Sequence, residues 1–253
     1  MSYRIYADGT LPCQLAYDPN ENGGPEDHCF FAATREGSIF HMDTRTKPTK
    51  FGYIDAHDKK ITALSLQYGG RYLLSASGDT TVKIWDARKI ANRESNARST
   101  VEPLSVLQHS VTVTGAAFSP SGRYVTSVCN DNKVRLWDSV DLTSKDTSVF
   151  NVPADPAVSA IYHNNFTGRW LTAFKISWDP ANDNTLLVGN MVRGIDILHV
   201  KPGLGSRGHP GLELLSTVMD PDYLTAVPTQ TAVHPSLNMM VGGTASGKAY
   251  MFA

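Results

Sequence analysis

Two stretches of this chain repeat one another, and that repetition limits the fold more than any other feature. Ile61–Arg88 reads ITALSLQYGGRYLLSASGDTTVKIWDAR, and Val113–Val140 reads VTGAAFSPSGRYVTSVCNDNKVRLWDSV. Each opens with an apolar strand, turns on Gly-Gly or Ser-Gly before Arg-Tyr, and runs through a second strand. Each then turns at an Asp and closes a third strand on Trp-Asp. Strands that alternate or run apolar, set between Gly- and Asp-bearing turns, read as small antiparallel sheets. Helical periodicity appears over no useful length. A sheet of this size cannot bury both faces alone, so such units must stack on their neighbours.

The unit is that of a WD repeat, whose usual period is about 40–45 residues. Trp85 and Trp137 lie 52 positions apart, and the polar stretch Ala91–Thr100 takes up the excess as an insertion after a third strand. Weaker copies flank the pair. Gly37–Arg45 (GSIFHMDTR) is another third strand, with Met42 in the Trp place. Gly194–Val200 (GIDILHV) and Gly247–Ala253 (GKAYMFA) are degenerate third strands, preceded by the first strands Ala173–Pro180 and Thr229–Pro235. Five units result, at residues 11–47, 55–90, 107–140, 170–200 and 226–253. The expected fold is all-β, a WD-repeat β-propeller with about five blades present. Rings of about 4–8 blades close, and this repeat most often makes seven. The chain is therefore expected to be the C-terminal part of a seven-bladed ring, with a complete five-bladed ring as the alternative.

Composition excludes several function classes. Lys and Arg number 23 against 24 Asp and Glu, for a net charge of −1, so a wholly basic nucleic-acid binder is ruled out and any such contact must use a local patch. No apolar run approaches the roughly 18 residues of a membrane span, and Met1–Thr10 lacks the apolar core of a secretory signal. Cys13, Cys29 and Cys129 have no C-x-x-C spacing and read as reduced core thiols of an intracellular protein. There is no G-x-S-x-G, H-E-x-x-H or P-loop, so no enzyme chemistry is expected, and no metal or cofactor. Gly203–Gly211 is glycine-rich but contains Pro210 and precedes no helix pattern, so it reads as a surface loop.

Trp85 and Trp137 are expected to wedge between blades. His57 and His109 precede the first strands of their units. With Ser75 or Ser77, Asp79 and Trp85 in one unit, and Asp131 and Trp137 in the next, they read as buried hydrogen-bond networks rather than ligands or bases.

What remains is surface recognition. In an antiparallel blade the first and third strands run the same way. Residues before a first strand and residues after a third strand therefore lie on opposite faces. Before first strands come Lys59 and Lys60, and the connection Val158–Thr172 with His163, Phe166, Gly168, Arg169 and Trp170. Aromatics and an Arg on a Gly-containing loop suit nucleic acid, the ring stacking on bases and the guanidinium meeting phosphate. The competing reading makes Phe166 and Trp170 caps of the core. After third strands come Trp85-Asp86-Ala87-Arg88 and Met42-Asp43-Thr44-Arg45. There Arg45 and Arg88 are either fixed donors for a docking partner or ordinary partners of the local Asp.

TGRWLTAFKISWDP (Thr167–Pro180), LLVGNM (Leu186–Met191) and AVHPSLNMMVGGTASGKAYMF (Ala232–Phe252) resemble the "changed mutation rate"/WD repeat-containing protein 76 family of nuclear damaged-DNA-binding propellers. The resemblance runs over essentially the whole chain and corresponds to that family's C-terminal two-thirds. A more distant resemblance is to the small subunit of the ultraviolet-damaged-DNA-binding complex. Matched on Leu171-Thr172, its lesion-inserting hairpin falls on Gly168, Arg169 and Trp170, where a Gly replaces the leading aromatic. Its DNA-contacting lysine resembles Lys59 or Lys60. Its W-D-x-R ending resembles Trp85–Arg88, which in such proteins engages the adaptor of a cullin-RING ubiquitin ligase. The resemblance implies a nuclear, non-enzymatic protein with damaged or distorted duplex DNA as partner. It also implies, as the alternative, a scaffold or ligase substrate receptor with an adaptor and chromatin proteins as partners.

Overall fold

The computed structural model describes residues 12–17, 29–45, 51–91, 101–139, 142, 152–153, 159–168, 171–205 and 208–253. Among them five antiparallel sheets follow one another along the chain. The first holds β1 (Pro12–Tyr17), β2 (Cys29–Thr34), β3 (Ser38–Asp43) and β4 (Phe51–Asp55). The second holds β5 (Ile61–Leu66), β6 (Tyr72–Ser77), β7 (Thr81–Asp86) and β8 (Ser105–Gln108), with β12 (Val152–Pro153) added in parallel to β8. The third holds β9 (Val113–Phe118), β10 (Tyr124–Cys129), β11 (Lys133–Asp138) and β13 (Ser159–Tyr162). The fourth holds β14 (Ile176–Trp178), β15 (Thr185–Asn190), β16 (Gly194–Lys201) and β17 (Gly211–Val218), and the fifth β18 (Pro228–Val233), β19 (Met240–Thr244) and β20 (Ala249–Phe252). The two clear repeats read from sequence carry three strands each. The fourth, outer strands come largely from the segments between those units, where no shared pattern marks them.

The first strands β1, β5, β9, β14 and β18 lie side by side at the inner edge, so the sheets form an arc of propeller blades. Four of these strands line one cleft of about 440 Å³ through Leu15, Leu64, Leu66, Phe118 and Trp178. The cores lie between blades. Trp85 packs with Phe31, Ile39 and Ile54 of the first sheet, and Trp137 with Leu74, Ile84 and Leu107 of the second. Between the third and fourth sheets Trp178 takes this role from a first strand, and its indole N–H donates to Thr126 Oγ1 at 3.1 Å. Strand pairing sets Met42, Leu198 and Phe252 at the Trp position of the first, fourth and fifth sheets. After β7 a five-residue helix, α1 (Ala87–Ala91), buries Ala87 and Ile90 against the first sheet.

Each turn between second and third strands ends on a residue with positive φ: Gly37 (97°), Thr80 (74°), Asn132 (61°), Arg193 (63°) and Gly247 (80°). Glycine and asparagine enter this left-handed region readily, whereas Thr and Arg do so at a cost. The shared geometry ties the two degenerate units to the three clearer ones more firmly than their residues do.

Candidate nucleic-acid interface

One face carries the connections into the first strands and the turns between second and third strands. The second sheet shows how this face is held. His57 Nδ1 lies 2.8 Å from Asp79 Oδ2, and its Nε2 lies 2.7 Å from Ser75 Oγ, which also accepts from Trp85 Nε1 at 2.9 Å. Thr81 Oγ1 donates to Asp79 Oδ1 at 2.7 Å. Burial holds the His57 imidazole below its ordinary pKa despite Asp79, so it is neutral near pH 7. Burial works to raise the Asp79 carboxyl but is outweighed by hydrogen bonds from His57 and Thr81, which keep it far below the usual range. Of the two serines considered from sequence, Ser75 joins His57 to Trp85, while Ser77 Oγ donates to the Lys59 and Lys60 carbonyls.

The third sheet departs from this pattern. His109 Nε2 still meets Ser127 Oγ at 2.9 Å. Asp131, however, takes a two-point contact from the buried Arg135, at 3.1 and 2.5 Å. Trp137 Nε1 is buried without a hydrogen-bond partner, and its ring meets His109 edge-on at 5.6 Å. The expected His109–Asp131–Trp137 network is therefore corrected. A guanidinium two residues along the third strand outcompetes a neutral imidazole for the carboxylate.

From sequence, His163 reads as part of a recognition loop. It is buried: Nδ1 lies 2.5 Å from Asn165 Oδ1 and Nε2 3.1 Å from Asp196 Oδ2. It thus does for the fourth sheet what His57 does for the second. The legible signal was its place before a first strand; the hidden part was Asp196, which sits inside a third strand instead of in the turn.

Lys59 and Lys60 are exposed at the mouth of the arc, as is Arg35 on the neighbouring turn. Lys175, just before β14, reaches across the centre. Its ammonium donates to the carbonyls of Thr62 and Thr114, the latter at 2.8 Å, and its backbone N–H to Thr229 O at 3.2 Å. One residue thereby ties the second, third, fourth and fifth sheets together. Burial, reinforced by Lys60, pushes the Lys175 pKa down to about 8. Cys13, whose thiol donates to Ile61 O at 3.1 Å, is pushed up by burial against the pull of Lys60, Arg35 and Lys175. These cations therefore share one mouth. Nothing in the repeat pattern singled out Lys175 or Arg35.

Phe166 is 69% exposed on this face, and Gly168 follows at φ +66° with open space around it. Arg169 and Trp170 lie outside the described residues. On the opposite face, Arg88 holds Asp86 through Nε–Oδ1 at 3.0 Å and Nη2–Oδ2 at 2.8 Å, and Arg45 holds Asp43 with the same two distances. The Arg88 hydrogen bond, set against burial, lowers the Asp86 pKa. The Arg88 side chain remains 62% exposed. Trp85, grouped with these residues from sequence, is 2% exposed and bonded to Ser75, so it supports the strand end from within and offers no surface to a partner.

The model of the WD domain, G-beta repeat family matches residues 48–86 and 101–138. The mouse (Mus musculus) "WD repeat-containing protein 76" is 30% identical over 97% of this chain and 38% of its own length. The "DNA damage-binding protein cmr1" of Neurospora crassa is 33% identical over 98% of this chain and 46% of its own. The chain thus spans less than half the length of these curated relatives. Among solved structures, a chain of a "Mitotic Checkpoint Complex" crystal structure superposes with a TM-score of 0.63 at 16% identity, covering 94% of this chain and 60% of that one. The Hsv2 protein of Kluyvelomyces marxianus gives a TM-score of 0.54 at 11% identity, over 78% and 57%. At those identities the likeness is one of fold.

Proposed function

The chain is a WD-repeat protein related to WD repeat-containing protein 76 and the CMR1 proteins, and on that premise we propose that it binds DNA in the nucleus without catalysis, favouring damaged or distorted duplex. The observation that carries this reading is the cationic mouth. Lys59, Lys60 and Arg35 stand in solvent on one face of a chain whose net charge is only −1, beside the exposed Glu36 and Asp58 and with the Lys175 ammonium behind them. Clustered surface cations gain affinity from phosphate by releasing counterions. Distorted duplex fits such a rim better than straight duplex, because bending and unstacking cost a few kcal/mol and a lesion has already met part of that. Phe166, with Arg169 and Trp170 beside it in sequence, completes the proposed contact set.

The test is the salt dependence of binding to damaged and undamaged duplexes. Losing two phosphate contacts in a Lys59→Ala/Lys60→Ala variant should reduce the slope of log affinity against log salt by about 2. An unchanged slope on both duplexes removes the mouth from the interface.

A second reading rests on the opposite face. Arg45 and Arg88 repeat one geometry on successive blades and leave a fixed guanidinium edge exposed, which suits docking to the adaptor of a cullin-RING ligase. Recovery of the adaptor with the wild type but not with Arg88→Ala supports it; equal recovery ends it.

A further inference from the structure

We propose that Phe166, Tyr162 and Arg193 form a clamp for an unpaired nucleobase, so that this face prefers DNA containing a locally single-stranded segment. The inference rests on the DNA-binding reading above and adds which form of DNA is taken.

The loop that carries the rings is pinned. After β13 ends at Tyr162, His163 N–H donates to Asn132 O at 2.9 Å. Asn165 N–H donates to Asn132 Oδ1 at 2.9 Å, and its amide to the carbonyls of Cys129 and Lys133 at 3.0 and 3.2 Å. Tyr162 and Phe166 flank the residues of this buried anchor in sequence and are 77% and 69% exposed. Aromatic rings held in water on a fixed backbone lose little freedom when a base stacks on them, which is where preorganised sites gain affinity.

Asp196 joins a second element to the same anchor. Asp196 Oδ2 lies 3.1 Å from His163 Nε2 and its Oδ1 accepts from Asn190 Nδ2 at 2.7 Å, and Asn190 Oδ1 accepts from the N–H groups of Val192 and Gly194 at 3.1 and 2.9 Å. The turn presenting Arg193 is therefore fixed relative to the loop presenting Phe166. Arg193 sits at φ +63°, where the matching turns of the first, third and fifth sheets use Gly37, Asn132 and Gly247. The fourth such residue, Thr80, uses its hydroxyl to accept from Gln108 at 2.7 Å. The Arg193 guanidinium has no partner among the described residues. A long cationic side chain kept in a strained turn without an internal partner is the kind of outlier that points to an external one.

The charges favour nucleic acid over an acidic or apolar peptide. Asp131 and Asp196, the carboxylates bonded into this loop and turn, face Arg135 and His163. An arriving phosphate thus meets Arg193 and, along the same face, Lys59 and Lys60. Base stacking on aromatic faces works with any base, so selectivity comes from whether a base is free to stack.

The experiment compares binding of the chain to a fully paired duplex, the same duplex with a two-base bubble, and the single strand. The wild type should favour the bubble. Phe166→Ala should weaken bubble binding by about five- to hundredfold, the loss expected for one stacked base, and weaken paired-duplex binding by less. Phe166→Leu, which keeps apolar bulk without a ring, should behave like Phe166→Ala. Arg193→Gly should raise the unfolding temperature, because the strain is relieved, while weakening bubble binding. Retention of the bubble preference by Phe166→Ala, restoration of it by Phe166→Leu, or equal losses on paired and bubbled DNA each overturn the clamp. A wild type that binds none of the three DNAs overturns the DNA reading itself, a separate result.

Discussion

Trp85 and Trp137 occupy matching positions in successive blades, yet their replacement by Phe should cost different amounts. Both indoles are 2% exposed, so shrinking either leaves a comparable void and that common cost largely cancels in the comparison. The polar edge does not cancel. Trp85 Nε1 donates to Ser75 Oγ at 2.9 Å, a bond worth about 1 kcal/mol net. Trp137 Nε1 is buried without a partner, and a desolvated, unsatisfied donor costs about 1–3 kcal/mol. Phe at 85 removes a gain, whereas Phe at 137 removes a penalty. Trp85→Phe should therefore be the more destabilising by about 2 kcal/mol or more, read as urea midpoints at unchanged m-value. Equal losses, or a larger loss at Trp137, would refute the claim that the second sheet carries a complete His–Ser–Trp chain and the third does not.

Acid should weaken the second sheet through His57. Its folded pKa is below the ordinary 6.5, so the unfolded chain takes up a proton that the folded one refuses, and stability falls as pH drops below about 6.5. A His57→Gln variant should show a shallower fall in unfolding midpoint between pH 6.5 and 5. Lys175 works at the other end of the scale. With its pKa lowered from 10.5 to about 8, the unfolded chain holds more protons between those values, so stability should rise with pH across that window. Lys175→Met should flatten the rise, and an identical profile would remove the buried ammonium as its source. Gly189 marks where the fourth and fifth sheets touch. A Cβ there would lie 1.7 Å from Pro228 O, so Gly189→Ala should cost about 3 kcal/mol, against about 1 kcal/mol for Gly168→Ala, which meets no atom but has positive φ. Thermal midpoints of the two variants give the ranking.

The inner three strands of the second and third blades were legible because alternation, Gly turns and the Trp-Asp ending all act within about 30 residues, and the weaker units were read from their first or third strands. Even Met42 was placed correctly at the Trp position, since strand pairing with Phe30 follows from turn geometry alone. The outer strands β4, β8, β13 and β17 were not, because their residues answer to a neighbour's edge rather than to a local turn. The networks failed for the same reason. His57 and Asp79 are 22 positions apart within one repeat and could be paired by pattern. Arg135 capturing Asp131, and Asp196 serving His163 from 33 positions away, depend on competition in space. Lys175 is the extreme case: its partners Thr62 and Thr114 lie in two other blades, and no spacing rule links them.

The two faces offer the most direct measurement. Lys60→Glu and Arg88→Glu each reverse one exposed charge on opposite sides of the same arc, changing net charge equally. Binding of both variants to a damaged duplex should be compared with the wild type at low and moderate salt. Lys60→Glu should weaken binding, most at low salt, while Arg88→Glu leaves it close to wild type. Equal weakening by both, or weakening by Arg88→Glu alone, would contradict a DNA-binding face at the entry to the first strands.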